Sequence, residues 1–219
     1  MSESKRPYII LSAAMTIDGK IASKSGDSEL SDEEDWQEVH KLRTKVDAIL
    51  VGKNTINENP KLHIKYYTHE GYYRIVLDSN LTIPISSNVI TYLPHLYPTI
   101  ICTTENVSRE RMKKYLEKKV TIIRAGKGAR VDLFKLMAKL YERGIKSILL
   151  EGGGTVNWSF VKHGLIDEIR LTIAPWIVGG KEAINLVDGE GFAYMKDSLQ
   201  FKLVSVKHRD NYVTLKYKR

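Results

Sequence analysis

One stretch of the chain combines a strand-like run, a carboxylate and three consecutive glycines. Residues 148–156 read ILLEGGGTV, so an apolar run passes through Glu151 into Gly152, Gly153 and Gly154 and then into helix-like spacing. The first N–H groups of a helix have no partner within it, and together with the helix dipole they favour an anion. Glycines also let a ligand approach the main chain closely. The stretch predicts an anion-binding turn with one carboxylate beside it, and the alternative is a tight turn with a solvated glutamate.

Similar polar or glycine-containing groups follow other predicted strands, at residues 18–19, 55–59, 78–79 and 126–128. Loops that follow parallel strands meet along one edge of the sheet, where ligands of α/β proteins bind. A long cleft there would suit a dinucleotide, because backbone donors hold its pyrophosphate and small residues lie beside its nicotinamide. The G-x-G-x-x-G fingerprint is absent after the first strand, so the pattern does not favour a Rossmann domain.

Other common chemistries find little support. No G-x-S-x-G motif is present, which argues against a hydrolase of the Ser/His/Asp type. Cys102 is the only cysteine, so an internal disulfide and a zinc-deaminase site with its P-C-x-x-C motif are both excluded, and we predict no metal. The six histidines are scattered, and a surface or structural role is favoured for each. His63 is the exception, because it closely follows the polar loop around Thr55.

The composition predicts a globular protein with an anionic partner. The chain has 219 residues and a net charge of +8, which favours either a phosphorylated small molecule or a nucleic acid. No run of five or six like charges occurs, and aromatic residues do not alternate with basic ones, so we predict no nucleic-acid partner. We also predict no membrane segment and no signal peptide. The single cysteine fits a reducing, cytoplasmic location.

The hydrophobic pattern alternates strands with helices and ends in a hairpin. It predicts an α/β fold with a mainly parallel central sheet, flanking helices, a C-terminal antiparallel hairpin and a single domain over residues 1–219. Ser31 and Glu34 form a capping-box pattern at the start of the first helix, and Ser108 or Asn106 caps a later one. Strands are predicted at 8–14, 46–51, 74–77, 99–102, 120–123, 166–174, 201–206 and 212–217.

Taken together, several motifs resemble the reductase of riboflavin biosynthesis. They are AAMTIDGKIA at 13–22, GDS at 26–28, HKLRTKVDAILVGKNT at 40–55, RIVLDS at 74–79, LLEGGGTV at 149–156 and LIDEIRLTIAPWIVGG at 165–180. The resemblance implies a dihydrofolate-reductase-like fold, a homodimer and NADPH as cofactor. Because no zinc-deaminase domain accompanies these motifs, the chain is similar to the stand-alone archaeal and fungal reductases. Those enzymes act on 2,5-diamino-6-ribosylamino-4(3H)-pyrimidinone 5′-phosphate.

The resemblance also implies roles for individual residues. Cofactor contacts are expected at Ala14, Thr55, Asn59, Asp78, Ser79, Gly128, Gly152, Gly153, Gly154, Thr155 and Val156. Substrate contacts are expected at Ser28, Arg43, His63, Lys65 and Glu151, with Arg43 or Lys65 on the phosphate. The loop TINENP at 55–60 is one residue shorter than in the family, so its acidic contact falls to Glu58 or Asn59. Lys65 also stands where the family more often has arginine.

The implied reaction opens the ribosylamine to an imine, and C1′ of the sugar then accepts hydride from the nicotinamide. The protein's main contribution is to hold the two carbons in reactive geometry, while Glu151 stabilises the cation or binds the pyrimidine. Two alternatives remain open: a pterin reductase of the dihydrofolate-reductase type and a nucleotide-binding module without turnover. NADH is also possible, because a 2′-phosphate needs a basic group, for which Lys53, Arg109 and Lys127 are candidates.

Overall fold

The computed structural model describes residues 5–219. None of the helices in this range is both long and apolar enough to cross a membrane. The strands are β1 (Tyr8–Thr16), β2 (Lys20–Ala22), β3 (Ala48–Gly52), β4 (Tyr73–Leu77), β5 (Thr99–Thr103), β6 (Thr121–Arg124), β7 (Ser147–Leu150), β8 (Glu168–Ala174), β9 (Ile184–Asn185), β10 (Lys202–Arg209) and β11 (Tyr212–Lys218). The α-helices are α1 (Glu33–Arg43), α2 (Asn88–Thr91), α3 (Arg109–Glu117), α4 (Leu133–Glu142) and α5 (Gly154–Lys162). Short 3₁₀ helices form at Lys53–Glu58 and Met195–Asp197.

The helix caps follow the sequence with one correction. Ser108 caps α3 by accepting a hydrogen bond from the Arg111 N–H at 3.2 Å. The capping box predicted for Ser31 and Glu34 is wrong, because the Asp32 carboxylate accepts the Asp35 N–H at 2.8 Å. A carboxylate is a strong N-cap and also suits the positive end of the helix dipole. The Ser31 hydroxyl instead donates to the Asp35 carboxylate at 2.6 Å.

Contacts divide the described chain into two compact units. Unit 1 contains residues 5–8 and His40–Leu149, and unit 2 contains Ile9–Val39 and Leu150–Arg219. The chain therefore passes between the units three times, and neither unit is one continuous segment. That the whole chain is a single domain stays a prediction.

Unit 1 is built on a parallel sheet. Its strands lie in the order β7-β3-β4-β5-β6, and β3, β4, β5 and β6 pair in parallel. The strands β3 and β5 are buried along their whole length, as expected for strands covered on both faces. The amphipathic helix α4 buries one apolar stripe, formed by Leu133, Leu136, Met137 and Leu140.

Unit 2 has a mixed arrangement of strands in the order β10-β11-β8-β1. The pair β1 and β8 is parallel, whereas β8–β11 and β11–β10 are antiparallel. The predicted C-terminal hairpin is therefore confirmed, with its turn at Asp210, whose φ is +45°. Unit 2 also contains a separate small antiparallel pair, formed by β2 and β9. The α/β fold class with mainly parallel strands and a C-terminal hairpin agrees with both units.

Candidate active site

The predicted site residues fall into two groups. Unit 1 contains Arg43, Thr55, Asn59, His63, Lys65, Asp78, Ser79 and Gly128. Unit 2 contains Ala14, Ser28, Glu151, Gly152, Gly153, Gly154, Thr155 and Val156.

In unit 1 the predicted cofactor residues follow the carboxyl ends of parallel strands. The register pairs Gly52 with Leu77, Leu77 with Cys102 and Cys102 with Ile123, so the four strands end at nearly the same level. Three of the loops that begin at this level contain predicted cofactor contacts, namely Thr55, Asp78 with Ser79, and Gly128. The structure thus brings these loops to one sheet edge, which is where α/β folds bind ligands.

Asp78 is fully buried and organises the turn that follows β4. Its carboxylate accepts hydrogen bonds from the N–H groups of Thr82 and of Ile83, the latter at 2.8 Å, and from the Thr82 hydroxyl at 3.1 Å. Its backbone carbonyl accepts the Leu81 N–H at 3.0 Å, and Leu81 has a left-handed φ of +55°. The Asp78 side chain therefore shapes the turn, and its predicted contact with the cofactor stays a prediction.

Ser79 joins this turn to the neighbouring strand ends. Its carbonyl accepts hydrogen bonds from the Thr103 hydroxyl at 2.7 Å and from the Thr104 N–H at 3.1 Å. Its hydroxyl accepts the Val131 N–H at 3.3 Å. Gly128 lies in the exposed loop after β6, where its carbonyl and that of Lys127 accept from the Asn106 amide. These bonds fix the backbone of the strand-end loops in unit 1.

Asn59 ends the 3₁₀ helix that follows β3. It adopts the left-handed conformation, with φ +48° and ψ +46°, which asparagine tolerates better than most residues. Its Oδ1 accepts the Asn88 N–H at 2.7 Å, and its carbonyl accepts from the Asn88 amide at 2.7 Å. Asn59 therefore anchors the start of α2, while the neighbouring Glu58 is exposed. That Asn59 or Glu58 replaces the family's acidic contact stays a prediction.

The predicted substrate residues of unit 1 lie on α1 and on the segment that follows Asn59. Arg43 is buried, and its Nη1 donates to the His63 carbonyl at 2.9 Å. His40, one turn earlier on α1, accepts the Lys65 N–H on its Nδ1 at 2.8 Å. The side chains of His63 and Lys65 remain partly or largely exposed. The structure therefore brings Arg43, His63 and Lys65 together.

Positive charge surrounds both histidines of this cluster. Burial first, and then the neighbouring cations with Arg43 foremost, lower the pKa of His40 to about 4. Burial also lowers the pKa of His63, and among the neighbouring cations Lys61 has the largest effect. Both imidazoles are therefore neutral at pH 7, and the cluster's positive charge comes from arginine and lysine. Such a cluster favours a phosphate.

In unit 2 the three glycines of the predicted anion site have different surroundings. A Cβ at Gly152 would lie 2.7 Å from Asn157 Oδ1, and a Cβ at Gly154 would lie 2.6 Å from the Asn185 carbonyl. A Cβ at Gly153 would meet no atom within 4 Å. Gly152 and Gly154 are therefore required by packing within unit 2, whereas Gly153 borders open space.

The start of α5 is held by the segment 185–188. The Asp188 N–H donates to the Gly154 carbonyl at 3.0 Å, and the Asn157 amide donates to the Leu186 carbonyl at 2.7 Å. Gly153 is the N-cap residue of α5, and no side chain caps it. The first N–H groups of a helix lack partners within that helix, so this end can accept an anion.

The remaining predicted residues of unit 2 have more varied settings. Ala14 lies in β1 opposite Thr172, with its side chain half-buried. Glu151 follows β7 and is also half-buried, whereas Ser28 lies in an exposed loop, where its carbonyl accepts the Leu30 N–H at 2.8 Å. Among residues 5–219, no three His, Cys, Asp or Glu side chains are grouped so that they could hold a metal ion.

Three buried residues that contact the segment 61–65 were missed by the sequence reasoning. Arg74, Tyr72 and Tyr97 lie beneath this segment and bond to its backbone. A signal existed for Arg74, because it lies two residues before Val76 in a strand and therefore on the same buried face. A charged residue at such a position needs an unusual polar environment.

The chain is similar to known proteins over nearly its whole length. Residues 7–215 match the model of the RibD C-terminal domain. The chain is 43% identical over 202 residues to the 2,5-diamino-6-ribosylamino-4(3H)-pyrimidinone 5′-phosphate reductase of Methanothermobacter thermautotrophicus, covering 90% of this chain and 91% of that protein. It is 40% identical over 207 residues to the reductase of the same name from Aquifex aeolicus, covering 92% and 91%.

Solved structures agree on the fold. Acinetobacter baumannii RibD superposes with a TM-score of 0.82 at 23% identity, covering 98% of this chain. The chain spans 58% of the length of that RibD protein. At this identity the likeness supports the fold alone, and it agrees with the dihydrofolate-reductase-like fold expected from the motifs.

Proposed function

The chain belongs to the RibD C-terminal domain family, and we propose that it reduces 2,5-diamino-6-ribosylamino-4(3H)-pyrimidinone 5′-phosphate in riboflavin biosynthesis. The product carries a ribityl chain in place of the ribosyl group. The observation that carries this proposal is the identity of 43% and 40% to two reductases of that name, over about nine tenths of their length. The basic cluster of Arg43, His63 and Lys65 in unit 1 supports a phosphorylated substrate.

We further propose that the cofactor is NADPH, which when bound supplies the hydride. The residues present fit such a group, because Gly153 borders open space at the start of α5 and no side chain caps that helix. Within unit 1 the residues that would contact it are Thr55, Ser79 and Gly128 on the strand-end loops. The turn 152–156 is proposed separately, within unit 2, as an anion-binding turn. The buried Asp78 would act by holding the turn that carries Ser79.

The preference for NADPH over NADH rests on the charge of the α3–β6–α4 region. Residues 101–150 contain 13 Lys and Arg against five Asp and Glu, so this segment alone has the +8 net charge of the chain. Lys127 lies in the exposed loop beside Gly128, at the edge where the cofactor loops meet. A 2′-phosphate would gain a charge-assisted contact there, whereas the hydroxyl of NADH would not.

In the proposed mechanism the side chains mainly bind and orient the substrate. In unit 1, Arg43 or Lys65 holds the phosphate. In unit 2, Glu151 and Ser28 are the proposed substrate contacts. The ribosylamine opens to its imine, and C1′ accepts the hydride. A protonated imine accepts hydride readily, so a strong dedicated acid is not required. Fixing donor and acceptor carbons at reactive distance then accounts for most of the acceleration.

The test is loss of absorbance at 340 nm when the protein, NADPH and the diamino-ribosylamino-pyrimidinone phosphate are mixed. Dihydrofolate and the deaminated pyrimidine phosphate serve as comparison substrates. Oxidation with the diamino compound alone supports the proposal and places reduction before deamination. Activity only with the deaminated compound keeps the family but reverses the order. Activity with dihydrofolate favours a pterin reductase, and no turnover with any of the three favours a binding module.

We also propose that the protein is a homodimer whose interface includes β10. This strand is outermost in the strand order, and its Leu203, Val204 and Val206 side chains are all more than half exposed. An apolar edge strand of this kind pairs readily with another chain, and a second copy allows a symmetric, closed pairing. Light scattering should give a dimer for the wild type and a monomer for Val206→Lys. A wild-type monomer, or a variant that stays dimeric, would contradict this interface.

The cytoplasmic location stays a prediction.

A further inference from the structure

The segment 61–65 has neither helix nor strand, yet each of its residues is bonded to a different buried side chain. The carbonyls of Lys61, Leu62 and His63 and the N–H groups of Ile64 and Lys65 take part, all at 2.8–3.1 Å. The five side chains, in the same order, are Arg74, Tyr72, Arg43, Tyr97 and His40. All five are at least nine tenths buried. An irregular loop rarely has its backbone satisfied in this consecutive manner.

The same bonds hold an unfavourable backbone conformation. Leu62 has φ +44°, in the left-handed region where the Cβ of a leucine crowds the following carbonyl. Such a residue persists only where its surroundings fix it, and strained residues of this kind cluster at functional sites. Here the peptide groups on both sides of the strained residue are held by buried side chains. Arg74 donates to the Lys61 carbonyl, and the Tyr72 hydroxyl donates to the Leu62 carbonyl.

Arg74 is the most unusual of the five side chains. It is fully buried, and within the described residues every acceptor of its hydrogen bonds is a backbone carbonyl. Besides Lys61 it binds the carbonyls of Tyr92 at 2.9 Å and Tyr97 at 2.5 Å, and its guanidinium lies 5.4 Å from the centre of the Tyr97 ring. Burial lowers its pKa to about 10, so it remains charged at neutral pH. One cation thus joins the segment 61–65 to the loop after α2.

Tyr97 extends this framework to a histidine. Its hydroxyl accepts the Ile64 N–H at 3.1 Å and lies 2.7 Å from His69 Nε2. His69 accepts the Gly71 N–H on its Nδ1, so its neutral form carries the proton on Nε2 and donates it to Tyr97. The hydroxyl is therefore oriented from a second side.

The outcome is a fixed backbone with alternating side chains. Leu62 and Ile64 are buried, whereas Lys61 and Lys65 are exposed and His63 is half-buried. We propose that Arg74, Tyr72 and Tyr97 are positioning residues that hold the segment 61–65 in one conformation, so that its Lys61, His63 and Lys65 side chains meet the phosphorylated substrate. This inference rests on the proposed function and deepens it.

The test compares steady-state kinetics of Tyr97→Phe, Tyr72→Phe and Arg74→Lys with those of the wild type. The phenylalanine variants keep the rings and lose one hydroxyl each, while a lysine cannot span the carbonyls that the guanidinium fork reaches. We expect KM for the pyrimidine substrate to rise about tenfold while kcat and KM for NADPH stay within about twofold. Exchange of the Ile64 amide with solvent, measured by NMR, should become at least about tenfold faster in Tyr97→Phe.

Tyr115→Phe is the matched control. Tyr115 is also fully buried in unit 1, but its hydroxyl donates to the Ile83 carbonyl, at 2.7 Å, on a different turn. This variant should lose stability without changing KM for the pyrimidine or the exchange of the Ile64 amide. An equal rise in KM in Tyr115→Phe, or faster Ile64 exchange in Tyr97→Phe with KM unchanged, would overturn the positioning role.

Failure of the proposed function has a different signature. A wild-type protein without turnover refutes the reductase proposal. In that case the affinity of the wild type and the variants for ribose 5-phosphate, measured by calorimetry, is compared in place of KM. Weaker binding in Tyr97→Phe than in Tyr115→Phe would still support a positioned anion site. Equal binding by these two variants and the wild type would refute it.

Discussion

The substitution Gly154→Ala separates a glycine required by packing from one required by a ligand. In α5 an alanine would ordinarily be favourable, because glycine inside a helix costs about 0.5–1 kcal/mol relative to alanine. At Gly154, however, the added Cβ would press on the Asp188 carboxylate and lie 2.6 Å from the Asn185 carbonyl, which is a backbone atom. Asp188 cannot swing away without loss, since it also accepts the Asn185 N–H at 3.2 Å.

The size of the effect follows from these opposing terms. Overpacking a well-ordered site costs about 1–3 kcal/mol, and the helix propensity of alanine returns about 0.5–1 kcal/mol. A net destabilisation of about 1–2 kcal/mol is expected, which lowers Tm by about 2–8 °C for a chain of this size. The segment 185–188 would shift away from the start of α5.

Gly153→Ala is the internal control. Its Cβ would meet no atom within 4 Å, and its φ of −73° and ψ of 168° suit any residue. Alanine lowers the conformational entropy of the unfolded chain, which stabilises the folded protein by about 0.4–1 kcal/mol. Alanine is also a poorer N-cap residue, which costs about as much, so Tm should change by less than about 2 °C. If a ligand approaches this backbone, the methyl group should raise KM for NADPH by at least about tenfold.

Calorimetric melting and NADPH kinetics of both variants check this pair of predictions. Gly154→Ala should have a lower Tm, and Gly153→Ala should have a higher KM for NADPH. An unchanged Tm for Gly154→Ala would refute the packing constraint. An unchanged KM for Gly153→Ala would show that the open space beside this glycine is not where the cofactor binds.

Three further predictions concern charged groups. Asp35 is buried and lies 2.8 Å from the Arg170 guanidinium, so Asp35→Ala should lower the free energy of unfolding in urea by about 3–5 kcal/mol. Burial alone would raise the pKa of Asp35, but Arg170 and three hydrogen bonds lower it overall, so this stabilisation should be lost on acidification below the usual carboxylate range. The pKa of His40 is lowered from 6.5 to about 4 in the folded protein, so the unfolded chain binds a proton more readily. The free energy of unfolding should therefore fall by up to about 3 kcal/mol as the pH is lowered from about 6.5 to 4. Denaturation curves of His40→Asn should lack this pH dependence. Lys127→Ala should raise KM for NADPH about tenfold and KM for NADH less than twofold, and equal changes for both cofactors would exclude Lys127 as the 2′-phosphate contact.

The sequence predicted most of the fold because the hydrophobic pattern is strong. Strands such as β3, with five buried residues in succession, leave little choice of conformation. Local competition is harder to predict, as the start of α1 shows. Ser31 and Glu34 have the spacing of a capping box, but Asp32 is one residue closer to the helix and takes the N-cap position. Such choices between adjacent residues depend on small energy differences that the pattern does not resolve.

The candidate site was predictable by residue type but not by how each side chain is used. Asp78 and Arg43 were both expected to meet ligands, yet the first bonds to its own turn and the second donates to the His63 carbonyl. A motif position shows that a polar group is needed, whereas only the fold shows which of its atoms are already bonded. Arg74 illustrates the opposite case, since its acceptors are carbonyls of Lys61 and of the loop after α2, and no sequence spacing reveals them.

The two units use opposite means to prepare a backbone for an anion. At the start of α5 the segment 185–188 packs so closely on Gly154 that side-chain bulk is excluded, while the neighbouring Gly153 borders open space. In the segment 61–65 bulky side chains are instead supplied from below, and they fix a strained backbone by bonding to it directly. In both places the cost of ordering the main chain is met on folding rather than on binding. At the segment 61–65 a ligand then has only the side chains of Lys61, His63 and Lys65 to immobilise, which is how a preorganised site gains affinity without a larger contact area.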